Sequence, residues 1–214
     1  MSQVNPEIAT PNAAPLFGGR KLTYEEFLRE YDGQYAEYVN NEVILPMSVT
    51  QKHDDLTGFF RAILRFYVEA KNLGRICGEP YQMKMVLDGE TKGREPDIFF
   101  VKTENLDRVR EQFFDGAADL VIEVVSPESV VRDTQEKFEE YEAAGVKEYW
   151  LIDPNRRTGN FYGFDENGKY QLLPISADSK FSSRVVDGLW IKTDWLWRED
   201  LPNLIDILKD WELV

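Results

Sequence analysis

Apolar positions recur along the chain with two periods, and the switch between them marks most of its elements. From His53 onward, Leu56, Phe59, Phe60, Ile63, Leu64 and Tyr67 return at steps of three and four, which predicts an amphipathic helix ending near Gly74. Shorter runs carry the strand signature. Gln82 to Leu87 alternates weakly and Ile98 to Val101 is continuously apolar, with turns expected between them at Asp88-Gly89 and Lys92-Gly93. The segment Asp119-Leu-Val-Ile-Glu-Val-Val125 is nearly all apolar and rich in β-branched residues, as a buried central strand is. A helix from about Thr134 to Ala144, stopped by Gly145, then leads to the apolar strand Glu148 to Asp153 ahead of Pro154. Strand, helix and strand at this length predict a crossover and hence a parallel pair.

The flanks carry local signals. Thr23 stands three residues before Glu26, the spacing of a capping box, so a short helix starts there. Tyr35 to Leu45 reads as a hairpin around Asn40-Asn41, a pair that tolerates positive φ, with Pro46 closing it. A second hairpin is expected from Phe161–Phe164 and Tyr170–Leu173 around the turn cluster Asp165-Glu-Asn-Gly168, and a short helix near Leu201 to Leu208 ends the chain. The fold class is therefore α/β (α+β mixed sheet): a central mixed β-sheet flanked by helices, with β-hairpin additions at both ends.

A chain of 214 residues suits one domain with a sizeable core; we assign it to 20–214. The first 19 residues, rich in Pro, Ala, Asn and Gly, read as a flexible leader with neither the basic start nor the apolar block of a secretory signal. No apolar run approaches the roughly 20 residues that span a bilayer, so a membrane protein is not expected. Cys77 is the single cysteine, so no internal disulfide forms, and a cytoplasmic location follows as the expectation; Cys77 itself reads as a small buried hydrophobe. The net charge of −14 argues against a protein that coats nucleic acid by general electrostatics. A local nucleic-acid site remains compatible with it, and bound divalent cations would offset part of an acidic site's charge.

Chemistry enters with Glu123. A carboxylate inside an apolar strand costs several kcal/mol unless it is paired, hydrogen-bonded or bound to metal. Asp97, in Arg94-Glu-Pro-Asp97 at the mouth of the neighbouring strand, offers a second carboxylate. Two such acids supply hard oxygen ligands for magnesium or manganese while leaving positions for water and a phosphate. Asp133, Lys137 and Tyr141 follow at four-residue intervals and share a helix face, from which Lys137 can point back to the strand ends and stabilise negative charge on a scissile phosphate. Against this stand plainer readings: Asp97 as a turn residue, Glu123 as a structural ion-pair partner of Lys137, and Lys137 as a solvated helix charge. With His53 as the only histidine, a histidine-based zinc cluster or a Ser/His hydrolase has little to work with. His53 reads as a structural residue at the helix start or a proton carrier at the site's edge. Ser126 lacks a glycine elbow and reads as a turn serine. Trp190, Trp195, Trp197 and Trp211 read as core or interface, and a homodimer contact through one of them is an open partner reading.

Pro96-Asp97, Leu120-Val-Ile-Glu123-Val-Val-Ser126-Pro127, Asp133, Lys137, Tyr141, Gly145-Val146 and Glu148-Tyr-Trp-Leu-Ile-Asp-Pro154 together resemble the Uma-two family of the PD-(D/E)xK, or restriction-endonuclease-like, superfamily. The resemblance runs from about Leu22 to Leu208 and takes in Glu37, Glu42 and His53. It implies a magnesium-dependent phosphodiesterase acting on DNA. Asp97 matches the first metal carboxylate and Glu123 the second, while Glu37 or Glu42 is expected to add an acidic ligand. The superfamily's usual lysine position holds Val125, and the resemblance assigns that role to Lys137 on the following helix. Asn41 replaces the family's usual glycine before Glu42. The reading that results is a divalent-metal-dependent endonuclease. Its alternatives are a catalytically silent binding or dimerisation module of the same fold and a phosphohydrolase of small nucleotides.

Overall fold

The computed structural model describes residues 21–45, 48–127 and 129–214; the expected leader and Pro46 lie outside them. The chain opens with α1 (Tyr24–Glu30), whose Thr23 and Glu26 form both bonds of the expected capping box. Next comes the hairpin β1 (Glu37–Val39) and β2 (Glu42–Ile44). Asn40 and Asn41 lie at φ +54° and +64°, the left-handed pair that a two-residue turn with matching twist needs. The long helix α2 (Gln51–Ala70) starts two residues earlier than its apolar pattern, because Thr50 caps it through the His53 amide.

Five strands follow: β3 (Gly74–Cys77), β4 (Gln82–Leu87), β5 (Glu90–Arg94), β6 (Ile98–Lys102) and β7 (Phe113–Asp115). Asp88-Gly89 makes the expected turn, both residues at positive φ. Lys92-Gly93 does not turn; it lies inside β5, paired with Met85 and Lys84. Gly93 is needed there for another reason: a Cβ would stand 2.6 Å from Gln82 Oε1 and 2.8 Å from the Tyr24 ring. Then β8 (Leu120–Val124), α3 (Lys137–Ala144) and β9 (Glu148–Asp153) build the crossover, and β8 and β9 run parallel as expected. Gly145, at φ +91°, ends α3. The end of the chain adds β10 (Thr158–Phe164), β11 (Tyr170–Leu172), β12 (Lys180–Ser182), β13 (Trp190–Lys192) and α4 (Leu204–Asp210).

The six-stranded sheet β11-β10-β9-β8-β6-β3 is the centre of the molecule. Alternation along β6 and β8 sorts its two faces. Ile98, Phe100, Leu120, Ile122 and Val124 pack with Leu56, Phe60, Ile63 and Leu64 of α2. Phe99, Val101, Val121 and Val125 pack instead with Tyr141 of α3 and with Met83, Met85 and Phe114 of a second, five-stranded sheet, β2-β1-β5-β4-β7. Three of the four C-terminal tryptophans form one cluster, Trp190, Trp195 and Trp211, with ring centroids 5.7 and 6.4 Å apart, so they are core and not a free interface. Among the described residues no helix is long and apolar enough to cross a membrane.

Candidate active site

Antiparallel pairing of β6 with β8 sets Ile98 opposite Ile122; Asp97 stands just ahead of β6, and continuing the register by one residue brings it level with Glu123, whose neighbour Val124 donates its amide to Asp97. Directly opposed residues share a face, so the two acids predicted from the sequence are neighbours, on the side of the sheet that faces α3. Asp97 is buried just ahead of β6, and its Oδ2 accepts the Val124 amide at 2.6 Å. His53, reaching in from the first turn of α2, places Nε2 3.2 Å from the same oxygen. The chain behind Asp97 is crowded: a Cβ on Gly78 would stand 2.2 Å from the Asp97 carbonyl oxygen, to which Arg61 Nη2 also donates at 2.9 Å. Glu79, next to Gly78, interacts with the Asp97 carboxylate; burial first and Asp97 second push its carboxyl up to about 7.

Glu123 is held from the helix side. Its Oε1 accepts from Lys137 Nζ at 2.9 Å and from the Tyr141 hydroxyl at 2.8 Å. Lys137 is itself buried and also lies 3.4 Å from Glu37 Oε1 and 3.6 Å from Asp133 Oδ1. The expected helix start near Thr134 proves to be a π turn over Arg132–Glu136, in which the Lys137 amide bonds back to the Arg132 carbonyl. That wide turn leads directly into the helix that presents Lys137 to the strands. Three carboxylates outweigh the desolvation of the ammonium, so Lys137 stays protonated well beyond its ordinary range. Burial pushes Glu123 up to about 8; Lys137 opposes the rise, and Asp97 and Asp133 add to it.

Glu37 reaches the cluster from β1 of the second sheet. Its Oε2 accepts from the fully buried Arg94 at 2.9 Å, and its Oε1 accepts the Glu95 amide at 3.3 Å. Burial alone would raise this carboxyl, but Lys137 and Arg94 hold it down at about 2. Arg94 also donates to both oxygens of Glu140 on α3, at 2.8 and 3.0 Å. One guanidinium thus joins β1, β5 and α3 around the site.

The cluster brings together Asp97, Glu123, Lys137 and Glu37 of the sequence-predicted residues. It does not include Glu42, which is exposed on edge strand β2 opposite Val39 and takes no part in the bonds that knit the site. Glu37 and Glu42 share a strand face, but only Glu37 sits at the end of the hairpin that packs against Arg94. Ser126 is a turn residue, its amide accepted by Ser129 Oγ at 3.0 Å. Cys77 is half-buried, and burial raises its thiol. Sequence reasoning missed Glu79, Arg94 and Glu95 as members of the cluster. For Arg94 and Glu95 a signal existed in Arg94-Glu-Pro-Asp97, three charged residues around one proline at a strand mouth; Glu79 had none.

The residues present fit a small hard cation. Glu123 takes its bonds to Lys137 and Tyr141 on Oε1, which leaves Oε2 to offer, and Asp97 stands beside it with its Oδ2 on the Val124 amide. Beside them, Asp133 Oδ1 is buried without a hydrogen-bond partner. Magnesium is commonly held by only one or two carboxylates, the rest of its shell being water and substrate phosphate. Among the described residues no group of three or more His, Cys, Asp or Glu side chains is arranged to hold a metal ion.

Comparison with known proteins bears on the fold and the family. Among curated proteins, no match to the chain is found. Among solved structures, the chain is similar to the one titled "Crystal structure of a putative nuclease belonging to DUF820 from Anabaena variabilis ATCC 29413", at TM-score 0.66 and 19% identity, covering 82% of this chain and 97% of that one. A likeness at that identity speaks for the fold, which is restriction-endonuclease-like. Residues 23–194 match the family described as "Uma2: Putative restriction endonuclease", which is most of the chain, and the protein therefore belongs to the Uma2 family.

Proposed function

We propose that the protein is a divalent-metal-dependent endonuclease that hydrolyses phosphodiester bonds of DNA at Asp97 and Glu123. The observation that carries this reading is the meeting of those two acids at the adjoining ends of β6 and β8, with Asp97 Oδ2 on the Val124 amide and Lys137 Nζ 2.9 Å from Glu123. A magnesium or manganese ion bound there would supply Lewis-acid polarisation of the phosphodiester and a water of lowered pKa. The chain's own residues do the rest. Asp97 is fixed by the Val124 amide and His53, and Glu123 by Tyr141 and Lys137, so both carboxylates are held before substrate arrives. Lys137 keeps its charge at neutral pH and stands where negative charge on a bound phosphate would develop. Glu37 serves as a counter-ion to Lys137 and Arg94, since both of its oxygens are engaged by them and by the Glu95 amide.

Purified protein with magnesium or manganese is expected to cut plasmid DNA, chelation to stop it, and Asp97→Ala and Glu123→Ala to abolish it. Retained cutting in both variants would remove the site. One observation favours a second reading, a catalytically silent module of the same fold: Lys137 already neutralises part of the acidic cluster without any metal. Such a module would take up no manganese.

A further inference from the structure

A groove outside the acidic cluster runs along α2 from the turn that carries His53. It encloses about 710 Å³, within the range of pockets that hold small ligands. Its floor is apolar: Leu56 and Leu196 are buried, and Phe59, Trp197 and Leu201 are half-buried. Its rim is charged and exposed and carries both signs: Lys52, Arg157 and Arg198, with Asp55, Glu199 and Asp200. The groove begins one residue along the chain from a contact of the acidic cluster. Lys52 precedes the His53 that touches Asp97, and its Nζ is tied to the Pro154 carbonyl at 2.6 Å, at the end of the strand that pairs with β8.

Resting on the nuclease reading above, we propose that this groove receives an unpaired stretch of the nucleic-acid strand leading away from the scissile phosphate. One base stacks on Trp197 and Phe59, and the neighbouring phosphates meet Lys52, Arg157 and Arg198. An aromatic floor beneath a charged rim is what a base with an open π-face uses, and in an intact duplex those faces are covered by the neighbouring pairs. The rim acids repel a phosphate chain, so the phosphates have to meet the three cations individually, and the acids can accept hydrogen bonds from the amino edge of a splayed base. The acidity of the whole chain works against general attraction to DNA, so the groove contacts have to carry the affinity.

The test is binding without cleavage: fluorescence anisotropy of a labelled single-stranded oligonucleotide and of a blunt duplex, in EDTA, with the full chain. Wild type is expected to prefer the single strand, which should also quench tryptophan fluorescence. Trp197→Ala should weaken binding about tenfold, the loss of roughly one base stack. As that variant removes part of a core wall, the pair Arg157→Asn and Arg198→Gln provides an independent arm. Both side chains are exposed, and asparagine tolerates the +54° φ of Arg157. This pair should lower the salt slope by roughly 1.4, at about 0.7 per phosphate contact on a single strand. Wild-type affinity and slope in the arginine pair, or preference for the blunt duplex, would overturn the groove assignment. If wild type cuts DNA but the arginine pair binds single strands unchanged, the nuclease reading survives and the groove falls. If groove-dependent binding is found but no metal supports cutting, the groove stands and the nuclease reading falls.

Discussion

Replacing Lys137 by methionine keeps the length of the side chain and removes one charge from the middle of three buried acids. The ammonium is 3% exposed as a residue and lies 2.9 Å from Glu123, 3.4 Å from Glu37 and 3.6 Å from Asp133. Removing one partner of a buried pair costs about 3–5 kcal/mol, out of roughly 5–15 kcal/mol for a whole domain. The cost must depend on pH. In the variant the main offset to burial is gone, so the Glu123 carboxyl moves further above its ordinary 4.5 than the value of about 8 it holds beside Lys137. A carboxyl whose folded pKa is raised binds its proton more tightly when folded, so its protonation favours the native state at low pH and that advantage is lost as pH rises from about 4.5 through the folded value. Urea unfolding of wild type and Lys137→Met should therefore differ by a similar amount, about 3–5 kcal/mol, from pH 5 to pH 8, and by more above about pH 8, where Glu123 ionises in wild type but not in the variant. Adding Glu123→Gln to Lys137→Met should remove the additional loss seen above about pH 8, because no carboxyl is left at that position to ionise. A loss below about 1 kcal/mol at pH 8, the scale of a solvated surface pair, would refute the assignment of Lys137 as a buried counter-ion.

Other changes probe neighbouring contacts. Tyr141→Phe removes a buried hydrogen bond to Glu123 and should cost about 1.5–3 kcal/mol by urea unfolding. Glu37, held at about 2, stabilises the fold above its ordinary 4.5, and that contribution is lost as pH falls from there towards 2. Glu37→Gln should therefore cost about 3 kcal/mol at pH 7 and flatten the acid-unfolding curve followed by circular dichroism. Arg94→Met strands Glu37 and Glu140 together, and a loss of about 3–5 kcal/mol is expected by denaturant titration.

Much of the fold was legible because the elements around the site have strong local signals. The Thr23 cap, the Asn40-Asn41 turn, the period of α2 and the strands Gln82–Leu87 and Glu148–Asp153 all follow from residues within reach of one another in sequence. Lys92-Gly93 misled because its glycine answers to a tertiary contact, Tyr24 and Gln82 pressing on its Cα. β3 and β7 are short and owe their existence to partners far along the chain, β6 and β4, which no local pattern records, while β12 and β13 are three-residue strands that pair only with each other. The site was legible at Glu123, since a carboxylate within an apolar strand needs a partner, and at Lys137 and Tyr141, one turn apart on the facing helix. Choosing between Glu37 and Glu42 required the second sheet and its buried arginine. The same holds for Glu79, which reaches Asp97 only because β3 brings its loop alongside β6.

The central claim is a cation shared by Asp97 and Glu123, and calorimetric titration of manganese addresses it without any assumption about substrate. Wild type is expected to bind manganese at the pair, with binding lost in both Asp97→Asn and Glu123→Gln while their circular dichroism stays that of wild type. No uptake by wild type at millimolar manganese, or undiminished binding in either variant, would contradict it.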